Sequence, residues 1–182
     1  EQSTISLQLN TNMFAAEGFV IAEATVVPDK FEILGDDMQV LNMKVDSGEK
    51  VMVLPGSMAY MSSDLKSDVN CESPCKRCLG GNPCILNTYV TSASDQYIGI
   101  SAPLPAKILP FDLAALNGKT VRCKSGTYLA HYGNVSMNYN VDCCSMTCCF
   151  GGQGCIRQAM SGDGTAFLTA MGTIVKKSLS DG

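Results

Sequence analysis

One stretch of the sequence occurs twice, and this duplication constrains the fold more than any other feature. The first copy, residues 48–60, reads GEKVMVLPGSMAY, and the second, residues 118–130, reads GKTVRCKSGTYLA. The correspondence continues downstream, where residues 80–85 align with residues 151–156 and residues 97–102 align with residues 165–170. Repeats are read before other patterns because each copy is one structural unit. The period is longer than that of ordinary solenoids, so the sequence predicts two copies of a small β unit.

The alignment also defines equivalent positions in the two halves. Small drifts in its offset are what a shorter loop in the second copy would produce. The matched pairs within the first stretch are Val51 with Val121, Val53 with Cys123, Gly56 with Gly126, and Ser57 with Thr127.

Short strands separated by turn residues fill both halves. Pro55-Gly56 fits a type II turn, in which Pro fixes φ and Gly accepts a positive φ, and Gly126 stands at the equivalent turn. No window shows a helical period over three turns, and regularly spaced short strands indicate a β-sandwich or barrel-like fold. The predicted strands are 5–9, 31–34, 38–45, 50–54, 58–62, 65–69, 85–90, 97–102, 108–113, 121–124, 127–132, 135–140, 156–161, 165–170 and 173–179.

Composition narrows the class of protein. Of the 182 residues, 46% are hydrophobic and 16% are charged, which is enough apolar material to bury a core. The net charge of −4 argues against general nucleic-acid binding, because that affinity comes from clustered Lys and Arg. No apolar run reaches the roughly 20 residues that a membrane-spanning helix needs. Whether a targeting segment has been removed before Glu1 stays open.

Several segments resemble one known family in the right order along the chain. The sequence is similar to the altered-inheritance-of-mitochondria protein twenty-four family from about Phe31 to Leu179. The segments that carry the resemblance are FEILGDDMQ at 31–39, PGSMAYM at 55–61, LNTY at 86–89, APLPAKI at 102–108, TAFL at 165–168 and GTIV at 172–175.

The resemblance implies an all-β fold of two tandem repeats, each like the tryptophan RNA-binding attenuation protein, a short double-stranded β-helix or β-sandwich. It implies a first repeat at 31–113 and a second at 114–182, after an N-terminal extension at 1–30 that contains a strand. It implies no established enzymatic activity, and the yeast member of the family is mitochondrial and linked to inner-membrane organisation. Because the attenuation-protein fold closes into rings, we expect a homo-oligomer, with a trimer as the first choice.

Cysteines in two equivalent loops depart from the family pattern. Two Cys that are six residues apart across a tight turn can approach bridging distance, which predicts the disulfides Cys78–Cys84 and Cys149–Cys155. The loop cysteines are Cys71, Cys75, Cys78, Cys84, Cys143, Cys144, Cys148, Cys149 and Cys155.

Three other interpretations of these cysteines remain open. The C-x-x-C spacing of Cys75 and Cys78 is that of metal ligands, so Cys71, Cys75, Cys78 and Cys84 could form a Cys₄ zinc site. The cluster at residues 143–150 resembles cysteine strings that carry palmitate at a membrane surface. Free buried thiols that act as small hydrophobes are the fourth interpretation.

The sequence supports two main functions. The first is a non-enzymatic scaffold or assembly protein, with membrane association as one form of it, whose Cys-rich loops are disulfide-bonded or modified. The alternative is a metal- or ligand-binding module that uses these loops. His131, the single histidine, aligns with Met61 and is expected to be structural, which leaves no His-based metal cluster. An enzyme and an RNA-binding protein rank lower, and the compartment is open: mitochondrial or membrane-associated by resemblance, secreted if the cysteines form disulfides.

Overall fold

The computed structural model describes residues 19–21, 30–70, 83, 85–116, 118–141 and 155–178. Two compact units make up the chain. The small unit combines Glu1–Glu23 with Thr173–Gly182, and the large unit is Ala24–Gly172. The predicted strand at residues 5–9 lies outside the described residues.

The described elements are almost all strands, as the sequence predicts. The observed bounds differ from the predicted ones by up to two residues at each end of most strands. The strands are β1 Phe19–Ile21, β2 Phe31–Leu34, β3 Val40–Val45, β4 Lys50–Val53, β5 Met58–Met61, β6 Lys66–Asn70, β7 Leu86–Val90, β8 Gln96–Ser101, β9 Lys107–Asp112, β10 Val121–Lys124, β11 Tyr128–Tyr132, β12 Val135–Val141, β13 Ile156–Gly162, β14 Thr165–Ala170 and β15 Val175–Lys177.

The small unit contains a two-stranded antiparallel sheet. β1 pairs with β15 so that Phe19 is opposite Lys177 and Ile21 is opposite Val175. The sequence made no clear assignment for residues 11–30, so β1 is an element that the pattern did not predict.

The described residues of the large unit form three antiparallel sheets. Their strand orders are β6-β7-β4-β11-β14-β9, β2-β3-β8-β5 and β10-β13-β12. The six-stranded sheet is the middle layer, because alternate residues of β4 enter different cores. Val51 and Val53 belong to the core shared with the four-stranded sheet, whereas Met52 and Leu54 pack on the core shared with the three-stranded sheet.

The two cores explain why central strands are apolar on both faces. The first core, between the six- and four-stranded sheets, includes Leu41, Val51, Ile98, Ile100, Leu129 and Phe167. The second core, between the six- and three-stranded sheets, includes Leu86, Leu113, Tyr128, Met160, Ala166 and Leu168. A strand buried on both faces has a continuous apolar run instead of an alternating one, as in the TAFL segment of β14.

The two halves of the large unit share one pairing pattern. β7 lies between β4 and β6, and β13 lies between β10 and β12. Val51 is opposite Tyr89, and in the second half Val121 is opposite Met160. Tyr89 and Met160 are equivalent, because each lies four residues after the aligned isoleucines Ile85 and Ile156. The registers of these two sheets therefore correspond residue by residue.

A second correspondence links β5·β8 with β11·β14. Both pairs contain a register shift, between Met58 and Tyr60 in one and between Tyr128 and Ala130 in the other. The strand ends also correspond: Ser101 N–H donates to Ser57 O at 2.8 Å, and Thr169 N–H donates to Thr127 O at 2.7 Å. These matches support the tandem duplication, but the duplication stays a prediction. The domain bounds 1–30, 31–113 and 114–182 also stay predictions. The six-stranded sheet contains strands of both halves, since β4 pairs with β11.

The two glycine turns have the predicted backbone conformation. Gly56 has φ of 82° and Gly126 has φ of 84°. Ser57 N–H donates to Leu54 O at 3.1 Å and closes the first turn.

The connection between the halves holds a feature that the sequence did not indicate, a single 3₁₀ turn at Ala114–Leu116. Asp112 Oδ1 accepts a hydrogen bond from Ala114 N–H at 3.0 Å and so caps the start of this turn.

Candidate functional site

Most of the predicted cysteine site lies outside the described residues. This applies to Cys71, Cys75, Cys78, Cys84, Cys143, Cys144, Cys148 and Cys149. Cys155 is half-buried at the start of the segment 155–178. The disulfides Cys78–Cys84 and Cys149–Cys155, the zinc site and S-acylation therefore all stay predictions.

Cys123 is the free cysteine among the described residues, and it is half-buried on β10. Its Sγ lies 3.7 Å from Gln158 O and 4.0 Å from Gln158 Oε1. Burial raises the pKa of this thiol, and a hydrogen bond with Thr127 offsets the rise only in part. Cys123 is therefore held as a neutral thiol, which is the less reactive form.

Gln158 is a buried polar residue that the sequence did not single out. Its side chain is fully buried on β13, and its Nε2 lies 3.4 Å from Met137 Sδ. A polar residue in an alternating strand is ordinarily expected to face solvent, so the pattern gave no signal for it. The amide sits between two sulfur atoms, those of Cys123 and Met137, in a packed interior.

His131 occupies a structural position, as its alignment with a methionine suggested. It is 2% exposed on β11, between Met52 of β4 and Ala166 of β14. Its Nδ1 lies 2.7 Å from the hydroxyl of Tyr128, which also donates to Met52 O at 3.1 Å. If the hydroxyl proton is directed to that carbonyl, the ring nitrogen is the donor of the shorter bond. This network joins β11 to β4 across the centre of the middle sheet.

The described residues show no metal-binding constellation. Within them, no group of three or more His, Cys, Asp or Glu side chains is placed to hold an ion. The paired acids Asp36 and Asp37 lie in an exposed turn between β2 and β3. Over the same part of the chain, none of the helices has the length and apolarity that crossing a membrane requires.

A shallow groove of about 370 Å³ lies beside the second glycine turn. It is formed by the loop after β8, the β10–β11 turn and the end of β14, with Lys124 as its charged residue. Its other lining residues are small or apolar, including Leu104, Gly126, Thr127 and Met171. Besides Lys124, hydroxyl side chains of Ser125, Thr127 and Thr169 line the groove, and those of Thr127 and Thr169 donate to backbone carbonyls.

Strand β5 combines exposed apolar side chains with an outer position in its sheet. Met58, Tyr60 and Met61 are 37%, 41% and 38% exposed. The ring of Tyr60 covers Gly99 of β8 and makes an edge contact with Tyr97, their centroids 6.2 Å apart. β5 is an outer strand of its sheet, so its second backbone edge has no strand beside it in the described part of the chain. We call β5 together with Tyr97 the β5 edge.

The equivalent strand in the second half is buried. Tyr128, Leu129, Ala130 and His131 of β11 are each 2% exposed or less. The difference comes from position in the layers, because β11 lies in the middle sheet with a core on each face, whereas β5 is an outer strand of the four-stranded sheet. Sequence analysis missed this edge, since its residues align well with those of a buried strand.

The fold and the surface define the class of this protein. It is an all-β protein of layered antiparallel sheets with an exposed apolar edge strand. The sequence model of the family described as Mitochondrial biogenesis AIM24 matches residues 31–182. The chain therefore belongs to the AIM24 family, which confirms the resemblance found in the sequence. Membership implies a role related to mitochondrial biogenesis.

Among solved structures, the chain is similar to protein SPYM3_0169 from Streptococcus pyogenes, with a TM-score of 0.60 and 17% sequence identity. The match covers 79% of this chain and 65% of that protein, so the chain spans less than two thirds of its length. At this identity the similarity establishes the fold alone. No curated protein matches the sequence.

Proposed function

We propose that this protein is a non-enzymatic scaffold that acts by associating with further copies of itself. The observation that carries the proposal is the β5 edge, where Met58, Tyr60 and Met61 expose apolar surface on an outer strand. Natural proteins usually protect such edges with charges, prolines or covering segments, because an open edge pairs with other strands. Within the described residues, β5 contains no charged residue or proline and no strand covers its outer edge, which favours a strand partner.

Family membership supports the biological context of this proposal. A role related to mitochondrial biogenesis is compatible with a protein that organises other components without chemistry of its own. The net charge of −4 favours a protein partner over nucleic acid.

Light scattering of the purified full chain, measured over a range of protein concentrations, tests self-association. We expect a mass that is a small multiple of the 19.3 kDa chain and that falls on dilution. A mass of one chain at micromolar concentration would contradict the proposal.

The second candidate function is a metal- or ligand-binding module built from the two Cys-rich loops. It is supported by the spacing of Cys75 and Cys78 and by the recurrence of cysteines in both loops. In the scaffold proposal the same cysteines are disulfide-bonded or acylated, with acylation placing the protein at a membrane surface.

Mass spectrometry of the intact, non-reduced chain separates these states. Disulfides remove two mass units each, acyl chains add a fixed mass, and zinc measured by elemental analysis would approach one ion per Cys-rich loop. A fully reduced, unmodified and metal-free chain would contradict both uses of the loops.

A further inference from the structure

The groove beside the second glycine turn gathers side chains that are unusually exposed for their size. Among the described residues, Met171, Met38 and Leu104 are the most exposed large hydrophobic side chains, at 71%, 68% and 60%. Two of them, Met171 and Leu104, line the groove. They belong to different segments, since Leu104 lies between β8 and β9 and Met171 directly follows β14. The fold therefore brings separate apolar side chains together around one concave surface.

The loop between β8 and β9 is poor in backbone donors. Pro103 lines the groove, and Pro105 follows Leu104 in the same loop. Proline has no N–H, so neither residue has a backbone donor that a bound apolar group would remove from water. Ala106 O already accepts a hydrogen bond from Gln39 N–H at 3.3 Å. An apolar chain that lies along this loop therefore desolvates few polar groups.

Two hydroxyl groups of the groove donate to the protein's own backbone. Thr127 Oγ1 donates to Lys124 O at 2.9 Å, and Thr169 Oγ1 donates to Thr127 O at 3.1 Å. Thr169 N–H donates to the same carbonyl at 2.7 Å. Because a hydroxyl group has a single proton to donate, neither threonine has a second O–H for a ligand.

Lys124 is the charged residue of the groove. It is exposed, and the ion pairs among the described residues do not include it. Lysine carries three N–H donors on a flexible apolar stem, so the ammonium group can bind an anion while the stem lies against apolar surface. The groove thus combines one available cation with apolar walls.

We infer that this groove binds an amphiphile with one alkyl chain and one carboxylate head, which is the chemistry of a fatty acid. Leu104, Met171 and Pro103 contact the alkyl chain, and Lys124 binds the carboxylate. Small-molecule sites commonly have volumes of about 300–1,000 Å³. A groove of about 370 Å³ is at the lower end of that range and suits a single chain of medium length.

The first glycine turn provides no second site of this kind. In the alignment of the two halves, Lys124 corresponds to Leu54. Leu54 is half-buried and packs on the second core. Because this position carries no cation in the first half, we expect one site in each chain.

Titration calorimetry of the full chain tests the inference with two soluble probes of equal chain length. They are decanoate and its cationic counterpart decyltrimethylammonium, each kept below its critical micelle concentration. We expect one decanoate to bind per chain and the cation to bind about tenfold more weakly. Non-specific adsorption would give the opposite order, because the net charge of the chain is −4.

Chain length gives a second measure of the apolar contact. From octanoate to decanoate to dodecanoate, the affinity should rise about twofold for each added CH₂. Full burial would give about fourfold, and the smaller factor is expected because an open groove covers only part of the chain.

A charge reversal tests the role of the cation. Lys124→Glu should weaken decanoate binding about tenfold and strengthen the binding of decyltrimethylammonium. Lys119→Glu is the matched control, because Lys119 is also exposed, lies outside the groove and changes the net charge equally. It should leave the preference for decanoate unchanged.

An apolar substitution tests the wall of the groove. Leu104→Ser should weaken the binding of both probes about fivefold and reduce the dependence on chain length. Met38→Ser is the control, because it removes a side chain of similar exposure that does not line the groove. Thermal melts show that each variant remains folded.

Methyl NMR spectroscopy locates the bound probe. Decanoate should shift the methyl signal of Met171 over the same concentrations that saturate the calorimetric site. The methyl signal of Met61, an exposed methionine on β5, should not follow this saturation curve.

The outcomes separate this inference from the proposed function. Saturable binding with the stated charge preference, and with a shift at Met171, supports the groove as a fatty-acid site. No saturable binding, equal affinity for the two probes, or an affinity unchanged by Lys124→Glu and Leu104→Ser overturns it. Binding to phosphatidylcholine vesicles without binding of free decanoate also overturns it, since the surface would then recognise a bilayer.

Self-association is measured independently of the groove. Neither decanoate nor Lys124→Glu should change the mass found by light scattering. A monomeric chain that binds decanoate would keep the groove and overturn the scaffold, whereas an oligomer that does not bind decanoate would do the reverse.

Discussion

At the scale of single residues, the Tyr128–His131 contact shows how one buried polar pair is kept compatible with an apolar core. The His131 ring is enclosed by strands on both sides, and its Nδ1 lies 2.7 Å from the Tyr128 hydroxyl. Removing one partner of a buried hydrogen bond leaves the other unsatisfied, which costs more than replacing both by apolar groups.

Tyr128→Phe is therefore expected to lower the free energy of unfolding by about 1–3 kcal/mol. The double variant Tyr128→Phe, His131→Met carries the methionine found at the equivalent position 61, and it should cost less than the sum of the two single changes. Urea unfolding of the four chains measures this. Additive losses would show that the contact is not a coupled pair.

Substitutions at Gly56 and Gly126 test the effect of backbone strain alone. A Cβ at Gly56 or Gly126 would meet no atom within 4 Å, so any loss comes from the positive φ and not from a clash. Gly56→Val and Gly126→Val are each expected to destabilise the protein by about 1–3 kcal/mol. Asn tolerates this conformation better, so Gly56→Asn should cost much less in the same thermal melts. Equal losses for Val and Asn would contradict the explanation.

At the scale of elements, Lys30 connects the start of β2 to the turn between β3 and β4. Its Nζ lies 2.8 Å from Asp46 Oδ2 and 2.6 Å from Glu49 Oε2, and 5.5 Å from the centre of the Tyr132 ring. Burial alone would lower the pKa of Lys30, but the hydrogen bonds and charges of Asp46 and Glu49 outweigh it and raise the pKa. The Lys30 hydrogen bond and charge lower the pKa of Asp46.

These shifts predict a pH dependence of stability. Because the pKa of Asp46 is lower in the folded chain, the ionised carboxylate stabilises the fold at pH values above its unfolded pKa of about 4. This stabilisation is lost as the pH falls through the folded pKa. Because the pKa of Lys30 is raised, the charged amine stabilises the fold at pH values below its ordinary pKa of 10.5. This stabilisation is lost as the pH rises through the folded pKa. When the free energy of unfolding in urea is plotted against pH, Lys30→Gln should flatten the curve at both its acidic and its basic end.

Lys66→Gln is the matched control for that profile, since Lys66 is an exposed lysine of β6. It should leave the pH profile unchanged. A Lys30→Gln profile that overlays the parent at both ends would contradict the role given to the ion pairs.

In the β5·β8 pair, the large Tyr60 ring lies over Gly99, which has no side chain. A Cβ at Gly99 would overlap the Tyr60 ring, so Gly99→Ala must displace that ring. We expect Gly99→Ala to cost about 1–3 kcal/mol in the parent chain and almost nothing in a Tyr60→Ala background. Denaturant unfolding of the four chains gives the coupling. Equal cost in both backgrounds would show that the ring contact does not limit this position.

At the scale of the whole molecule, the proposed self-association predicts a definite number of chains. If the chain holds two units and a ring needs six, three chains close it, giving about 58 kDa as three times 19.3 kDa. Native mass spectrometry should show this species as the main one. A closed assembly of another number would keep the ring and correct the trimer, whereas an open-ended series would contradict closure.

The placement of the two Cys-rich loops on one face of such a ring also belongs to this scale. Rotation about the ring axis would keep equivalent loops on the same side. Most of both loops lies outside the described residues, so this arrangement stays a prediction.

The sequence by itself determined most of the described strands and the two glycine turns, and it predicts the equivalence of the two halves. Alternating apolar residues, Pro55 before Gly56, and the repeated stretch are local signals, and strands such as Phe31–Leu34 and Thr165–Ala170 were predicted to the residue. The β1 strand, the 3₁₀ turn at Ala114–Leu116 and buried Gln158 lacked such a signal.

Only the tertiary structure decided which strands meet. Ala130 and Tyr60 occupy equivalent positions, but one is fully buried and the other 41% exposed. Nothing in the local pattern distinguishes them, because burial depends on what packs over each face of the strand. β11 lies in the middle sheet between the two cores, whereas β5 is an outer strand of the four-stranded sheet. Strand pairing joins residues far apart in sequence, so it is set by the packing of the whole chain and not by local periodicity.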